Sequence, residues 1–275
     1  MNIDVEGSIN SGQVFLWNKC GDTWHGINGQ DVLAVGRSGR VRSYRGIRTD
    51  FFRRRDDMGR ILESISRDGR VRRAAGRYPG LRILDQDPFQ CLISFIISSN
   101  SNIQKIRSCL ARMTERMGEK VEFEGRMFSL FPDADRIAGA TAGEILGCGV
   151  GYRARFVRDA ARMVRDGRLD IEGIKKKDYH GAMEAVLSVP GVGSKVADCV
   201  LLFSLGKLDA FPLDRWMLRI LKRYRGRFMP DTKTITKRQY GLLHEELVDY
   251  FGPYAGYAQQ FLFKMERDDH QKGWL

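Results

Sequence analysis

The chain has 275 residues, 43% of them hydrophobic and 29% charged, a balance that describes a globular protein and excludes a disordered one. Lys and Arg number 46 against 34 Asp and Glu, and the formal charge of +12 favours an anionic partner. The longest apolar stretches, Cys91 to Ile97 and Val200 to Phe203, are too short to span a bilayer, and the opening MNIDVEGSIN lacks the basic and apolar regions of a signal peptide, so a soluble intracellular protein is expected.

The first part of the chain reads as sheet. Val14 to Trp17, Thr23 to Ile27, Val32 to Val35 and Arg40 to Tyr44 are short β-branched and aromatic segments. Gly21-Asp22, Asn28-Gly29 and Ser38-Gly39 separate them with hairpin chemistry, which predicts an antiparallel meander. A helix follows, capped by Thr49 or Asp50, with Met58, Ile61, Leu62 and Ile65 at helical spacing. A boundary is placed near Tyr78-Pro79-Gly80, giving an N-terminal antiparallel sheet domain over 1–80 and a helical body over 81–275.

In the second part, Asp87-Pro88 supplies an N-cap with proline at the first helical position. That helix runs to a polar break at 98–102, and a second carries Ile103, Ile106, Leu110, Met113 and Met117 on one stripe. Further helices are predicted over 142–146, 154–166, 179–188, 195–205, 215–224, 237–251 and 254–264. The fold class is therefore α+β. No basic amphipathic helix with a lipid-seeking face stands out, which favours nucleic acid over a membrane as the anionic partner.

Cys20, Cys91, Cys109, Cys148 and Cys199 are far apart, with no C-x-x-C and no four-cysteine run for zinc or an iron–sulfur cluster. His25, His180, His244 and His270 form no metal spacing either. Reduced thiols and catalysis without a protein-bound metal or other cofactor are expected.

The most informative stretch is Val186 to Val200. An apolar helix ends at Ser188, Pro190-Gly191-Val192-Gly193 makes a tight turn, and a second apolar helix starts at Ser194 or Lys195, a helix-hairpin-helix over about 182–205. The glycines permit backbone conformations closed to other residues and leave amide N–H groups open to close approach. Together with the free N–H groups of the next helix they suit a DNA phosphate, independently of base sequence. An ordinary helical hairpin would show the glycine turn too, but not the pattern P-G-V-G-x-K-x-A in a basic chain.

Lys195 sits at that helix N-terminus, where the dipole disfavours a positive charge, and Val192, Val196 and Val200 can desolvate it. Both effects favour the neutral, nucleophilic amine. A phosphate-binding lysine is the other reading. Asp214 precedes another helix and would serve as an ordinary N-cap. Beside Lys195 it could also stabilise developing oxocarbenium charge on a sugar and manage the lysine proton.

With these residues in view, the chain resembles the helix-hairpin-helix DNA glycosylase superfamily, and within it the 8-oxoguanine DNA glycosylase/AP lyase family. The hairpin carries the likeness together with blocks over 11–17, 87–95, 98–103, 149–155 and 252–259, in family order from near one end of the chain to near the other. The resemblance implies a twisted antiparallel sheet domain followed by two helical subdomains with the active cleft between them. It implies that the damaged nucleotide is flipped out of the duplex, that Lys195 attacks the sugar C1′ and forms a Schiff base, and that β-elimination nicks the strand.

By the same resemblance, Asp214 matches the catalytic aspartate, and Gly12 matches the glycine whose carbonyl accepts the N7 hydrogen that distinguishes 8-oxoguanine from guanine. Cys199 and Phe263 match the pair that sandwiches the flipped base, and Gln259 the amide that reads its pairing edge. Asn100 and Arg153 match contacts to the orphaned cytosine, and Tyr152 an aromatic wedge. The chain departs from the family pattern in three places. Ser101 stands where an asparagine is frequent, and Trp216 stands where a histidine follows the aspartate. Lys105 replaces an arginine, which predicts a weaker preference for cytosine opposite the lesion because lysine lacks the planar fork.

The expected partner is double-stranded DNA containing 8-oxoguanine, met by a monomer with no membrane and no iron–sulfur cluster. The expected location is intracellular and DNA-associated, in cytoplasm and nucleoid or in a nucleus. Two alternatives stand beside this reading. An alkylated-base glycosylase of the same superfamily would typically lack Lys195, and a non-catalytic helix-hairpin-helix protein would leave the Lys195–Asp214 pair unexplained.

Overall fold

A computed structural model describes residues 2–46, 49–224 and 235–272. After a one-turn helix α1 (Val5–Ile9), the strands β1 (Trp17–Cys20), β2 (Thr23–Asn28), β3 (Asp31–Val35) and β4 (Val41–Ser43) form the expected meander, each antiparallel to the next. Cys20 pairs with Thr23 and Asn28 with Asp31, so two-residue turns set the register. Trp17, Trp24, Leu33 and Val35 pack with Ile9, Phe51, Phe52 and Leu84 into a small core, while Phe15, Ile27 and Val32 join the main one.

The first strand begins at Trp17 rather than Val14 because buried Gln13 is committed elsewhere. Its side chain accepts the Leu84 N–H at 2.9 Å and donates to the Arg82 carbonyl at 2.8 Å, and its carbonyl receives Gln86 Nε2 at 3.0 Å. These bonds anchor the 11–13 turn to the segment ahead of the helical body.

The next helix, α2 (Met58–Ile65), is capped by Asp57. Asp50, one of the two expected caps, instead accepts the Arg55 N–H at 2.9 Å and closes a turn ahead of the helix. An unforeseen helix α3 (Gly69–Arg77) follows. Its cap, Asp68, accepts two backbone N–H groups and the hydroxyls of Tyr224 and Tyr250, both at 3.1 Å.

The helical body is built around α4 (Pro88–Ser98), capped by Asp87 and buried from Gln90 to Ile97. A helix apolar on nearly every face has to lie at the centre. The chain continues through α5 (Ile103–Met117), a short hairpin β5 (Lys120–Phe123) and β6 (Arg126–Ser129), α6 (Ala134–Gly139), α7 (Ala142–Gly147), α8 (Ala154–Arg165) and α9 (Ile171–Lys176). Then come α10 (Tyr179–Leu187), α11 (Ser194–Ser204), α12 (Arg215–Lys222), α13 (Lys237–Phe251) and α14 (Ala255–Lys272). α4 packs on α5, α8 and α11, and α14 packs on α2, α3, α12 and α13. Helices α2 and α3, both before residue 80, thus bury against the last helix of the body. Among the described residues no helix is long and apolar enough to cross a membrane, and all five cysteines are unpaired.

Candidate active site between the helical hairpin and the last helix

The hairpin forms as expected, with α10 and α11 joined through Pro190 to Gly193. Gly191 has φ +82°, and a Cβ there would lie 2.4 Å from Phe156 Cγ, so only glycine fits. Gly193 is the N-cap of α11, supplies no side-chain cap, and a Cβ there would meet nothing within 4 Å. Gly191 and Gly193 are exposed and Val192 half-buried, so the first N–H groups of α11 open onto solvent beside a bare backbone.

A cleft of about 1490 Å³ begins at this turn, and its lining includes Lys195, Asp214, Gly12, Phe263, Phe95 and Asn100. Lys195 is half-buried on the first turn of α11, with Nζ 5.3 Å from the centre of the Phe95 ring. Phe95 itself is braced by Phe203, stacked at 5.6 Å, and by Phe15, edge-on at 5.8 Å. Asp214 caps α12 and accepts the Met217 N–H at 2.8 Å. Burial raises its carboxyl above the ordinary value, opposed by that N–H and by the charge of Lys195. Cys199, one helical turn beyond Lys195, is buried and is not among the residues that line the cleft. Burial pushes its thiol up to about 12, with Lys195 the nearest opposing charge, so it packs as a neutral group.

The opposite wall joins the 11–13 turn to α14. Gln260 Nε2 donates to the Ser11 carbonyl at 3.1 Å and fixes the turn to the helix. Gly12, at φ +88°, is held against Phe263 and Arg267: a Cβ there would stand 3.2 Å from Phe263 Cε1 and 3.0 Å from Arg267 Nη1. Gln259 is 4% exposed; Nε2 donates to the Pro212 carbonyl at 3.3 Å, and Oε1 has no partner. A buried amide oxygen left unpaired costs on the order of 1–3 kcal/mol, which makes it a marker for a ligand donor.

The rim is formed by two loops. Asn100 has φ +49° and is exposed, and Tyr152 keeps 60% of its surface bare. Arg153 stacks on Tyr152 at 4.5 Å. Its Nε donates to the Ser99 carbonyl at 2.8 Å, Nη2 reaches the same oxygen and the Asn100 carbonyl, and Nη1 meets the Val150 carbonyl at 3.3 Å. In this structure Arg153 therefore ties the two loops together rather than presenting free donors. Trp216 stands edge-on to His270 at 4.7 Å, and both line the cleft.

Arg267, His270 and Tyr240 also line the cleft and were not singled out from the sequence. Arg267 lies two turns beyond Gln259 and one beyond Phe263 on the same face of α14, a spacing the sequence does hold. Among the described residues, no group of His, Cys, Asp and Glu forms a site for a metal ion.

With this geometry in place, the comparisons with known proteins are specific. The N-glycosylase/DNA lyase OGG1 of Arabidopsis thaliana is 31% identical over 224 residues, covering 79% of this chain and 60% of the relative. A probable N-glycosylase/DNA lyase of Methanothermobacter thermautotrophicus is 33% identical over 211 residues, covering 68% of this chain and 64% of its own. The chain thus spans under two thirds of the length of these curated relatives. The crystal structure of the Clostridium acetobutylicum 8-oxoguanine glycosylase/lyase, in complex with double-stranded DNA containing cytosine opposite 8-oxoguanine, superposes with a TM-score of 0.86 at 30% identity. That match covers 98% of this chain and 93% of the other. Residues 93–243 match the family described as HhH-GPD superfamily base excision DNA repair protein, and the chain belongs to that superfamily.

Proposed function

We propose that the protein is a bifunctional 8-oxoguanine DNA glycosylase and AP lyase that acts on duplex DNA as a monomer, in the DNA-containing compartment of its cell. The observation that carries this reading is one cleft whose lining brings together a half-buried lysine on the first turn of α11, a half-buried carboxyl at the start of α12, and Gly12 packed against Phe263.

In this mechanism the lesion nucleotide leaves the stack and its base enters the cleft beside Gly12 and Phe263. The Lys195 amine, after giving up its ammonium proton, attacks C1′, and the C1′–N9 bond breaks. The base departs with the electron pair and takes up a proton. Asp214 faces the positive charge that develops on the sugar. Loss of the amine proton and opening of the ring give the Schiff base. Removal of a C2′ proton then expels the 3′ phosphate, and water releases Lys195.

Lesion choice follows from uncharged groups. The Gly12 carbonyl accepts the N7–H of 8-oxoguanine, whereas guanine presents a lone pair there and leaves the acceptor unmatched. Phe263 and Cys199 sandwich the base. The unpaired Oε1 of Gln259 is suited to the N–H donors of the pairing edge. Outside the pocket, the amides from Gly191 through Val192 to Gly193 hold a phosphate, and Tyr152 fills the opened stack. Asn100 contacts the orphaned cytosine, as does Arg153 once its guanidinium leaves the Ser99 and Asn100 carbonyls, and Lys105 makes that preference weaker than an arginine would.

The test is incubation with an 8-oxoguanine:cytosine duplex, reading the free base by mass spectrometry and the nick on a gel. Release of 8-oxoguanine with strand cleavage is expected, against none from an undamaged guanine duplex. Release of 3-methyladenine alone, or tight binding with neither product, would overturn the proposal.

A further inference from the structure

Asp198 is the one charged residue within the apolar run of α11. It is fully buried, three residues after Lys195 and so one helical turn away. Each of its carboxyl oxygens receives a phenol: Tyr179 donates to Oδ1 at 2.8 Å and Tyr240 to Oδ2 at 2.5 Å. The Tyr240 oxygen in turn accepts the Leu213 N–H at 3.1 Å, one residue before Asp214. A single buried carboxyl thereby joins the helix that carries Lys195, the first turn of α13 and the backbone that leads into Asp214.

We infer that Asp198 and Tyr240 are positioning residues that set the Asp214 carboxyl against the Lys195 amine. Asp214 is held from two sides. Its own cap to the Met217 N–H fixes it to α12, and the chain on its other flank is fixed by Tyr240 at Leu213 and by Gln259 at Pro212. A fold that needed only a closed core could fill the space of Asp198 with an apolar residue. A buried carboxyl is costly unless it is bonded, and bonded at both oxygens it fixes the orientation of what it joins. The phenol links the two groups without touching the reacting atoms, which distinguishes it from a catalytic residue. Loss of the hydroxyl frees the Leu213 N–H and releases one of the two anchors on that flank, while the cap on α12 remains.

This inference rests on the lysine chemistry proposed above, and the experiment separates the two. Tyr240→Phe keeps the ring and removes the link. Under single-turnover conditions it is expected to slow 8-oxoguanine release about 10-fold, with affinity for an abasic-analogue duplex within about twofold. In an Asp214→Asn background the same substitution is expected to have no further effect, because the link acts through Asp214. Asp198→Asn, which keeps the shape but can satisfy only one phenol as an acceptor, should behave in the same way. An undiminished rate in Tyr240→Phe overturns the inference. So does a 10-fold loss that persists without the Asp214 carboxyl, since Tyr240 would then act on the DNA or on the fold as a whole. If the wild-type protein releases no base, the proposed activity fails, and the crystal structure of Tyr240→Phe still decides the link: residues 212–214 are expected to shift, and an unmoved segment overturns it.

Discussion

Replacing Gly12 with alanine separates base recognition from the rest of the chemistry. The residue sits at φ +88°, where a side chain costs about 1–2 kcal/mol of backbone energy. The new methyl would lie 3.2 Å from Phe263 Cε1 and 3.0 Å from Arg267 Nη1, so the ring and the guanidinium must each give by a few tenths of an ångström. Since about 1 kcal/mol moves the melting temperature of a chain this size by roughly 2–4 °C, the variant should melt a few degrees lower and stay folded. The effect on the pocket is larger. A shifted Phe263 displaces the face that meets the base, and a rotated carbonyl loses its bond to N7–H, worth about 1–3 kcal/mol, or roughly a 5- to 150-fold loss in rate. The assay compares single-turnover release of 8-oxoguanine with nicking of a preformed abasic site, which brings no base into the cleft. Excision is expected to fall by that factor and nicking to stay within about threefold. Equal losses in both reactions, or undiminished excision, would refute the placement of Gly12 in the base pocket.

The two exposed glycines of the hairpin should respond in opposite ways. Gly191→Ala drives a methyl into Phe156 at positive φ and should lower the melting temperature by many degrees, whereas Gly193→Ala meets no atom and should leave melting unchanged while weakening duplex binding. Stability against pH carries two opposed contributions from one buried cluster. His244, stacked on Tyr179 at 4.1 Å, is lowered to about 4 by burial, so its stabilisation is complete above pH 6.5 and is lost as pH falls to 4, by about 3 kcal/mol. Asp198 is raised to about 7, chiefly by burial, so its contribution is full below pH 3.8 and is lost as pH rises through 7. Thermal melting across pH 4 to 7 should therefore show a steeper acid loss in Asp198→Asn and a shallower one in His244→Leu; unchanged slopes in both would show that neither group titrates as its burial requires.

What was legible in the sequence was chemistry written locally. The hairpin showed because two glycines, a proline and a lysine fall within six residues of one another, between two apolar runs. The meander showed because alternation and turn residues agree over each pair of strands. The hairpin β5–β6 did not show: its strands are short and charged, and it is secured by a distant contact in which Glu124 meets Arg42 and His25. α3 stayed hidden because GRVRRAAGR has few apolar residues and takes its stability from α14 and from tyrosines far along the chain. The same limit applied to the site. Gly12 and Phe263 are 251 positions apart, and only the resemblance joined them before the fold did. Asp198 offered a signal, a lone carboxyl between Ala197 and Cys199 in an apolar helix, but its partners Tyr179 and Tyr240 could be identified only from packing. Arg153 had a visible candidate role and a second, loop-tying one that no local pattern contained.

The central claim is that Lys195 is the nucleophile of a base-excision reaction. Borohydride reduces a Schiff base to a stable amine, so reduction during turnover on an 8-oxoguanine:cytosine duplex should fix the protein to the DNA, and peptide mapping should place the adduct on Lys195. The Lys195→Gln variant, which keeps the length of the side chain and loses the amine, should bind the duplex and give no adduct. A wild-type protein that releases the base without a trapped complex, or a Lys195→Gln protein that traps as well as the wild type, would contradict the account.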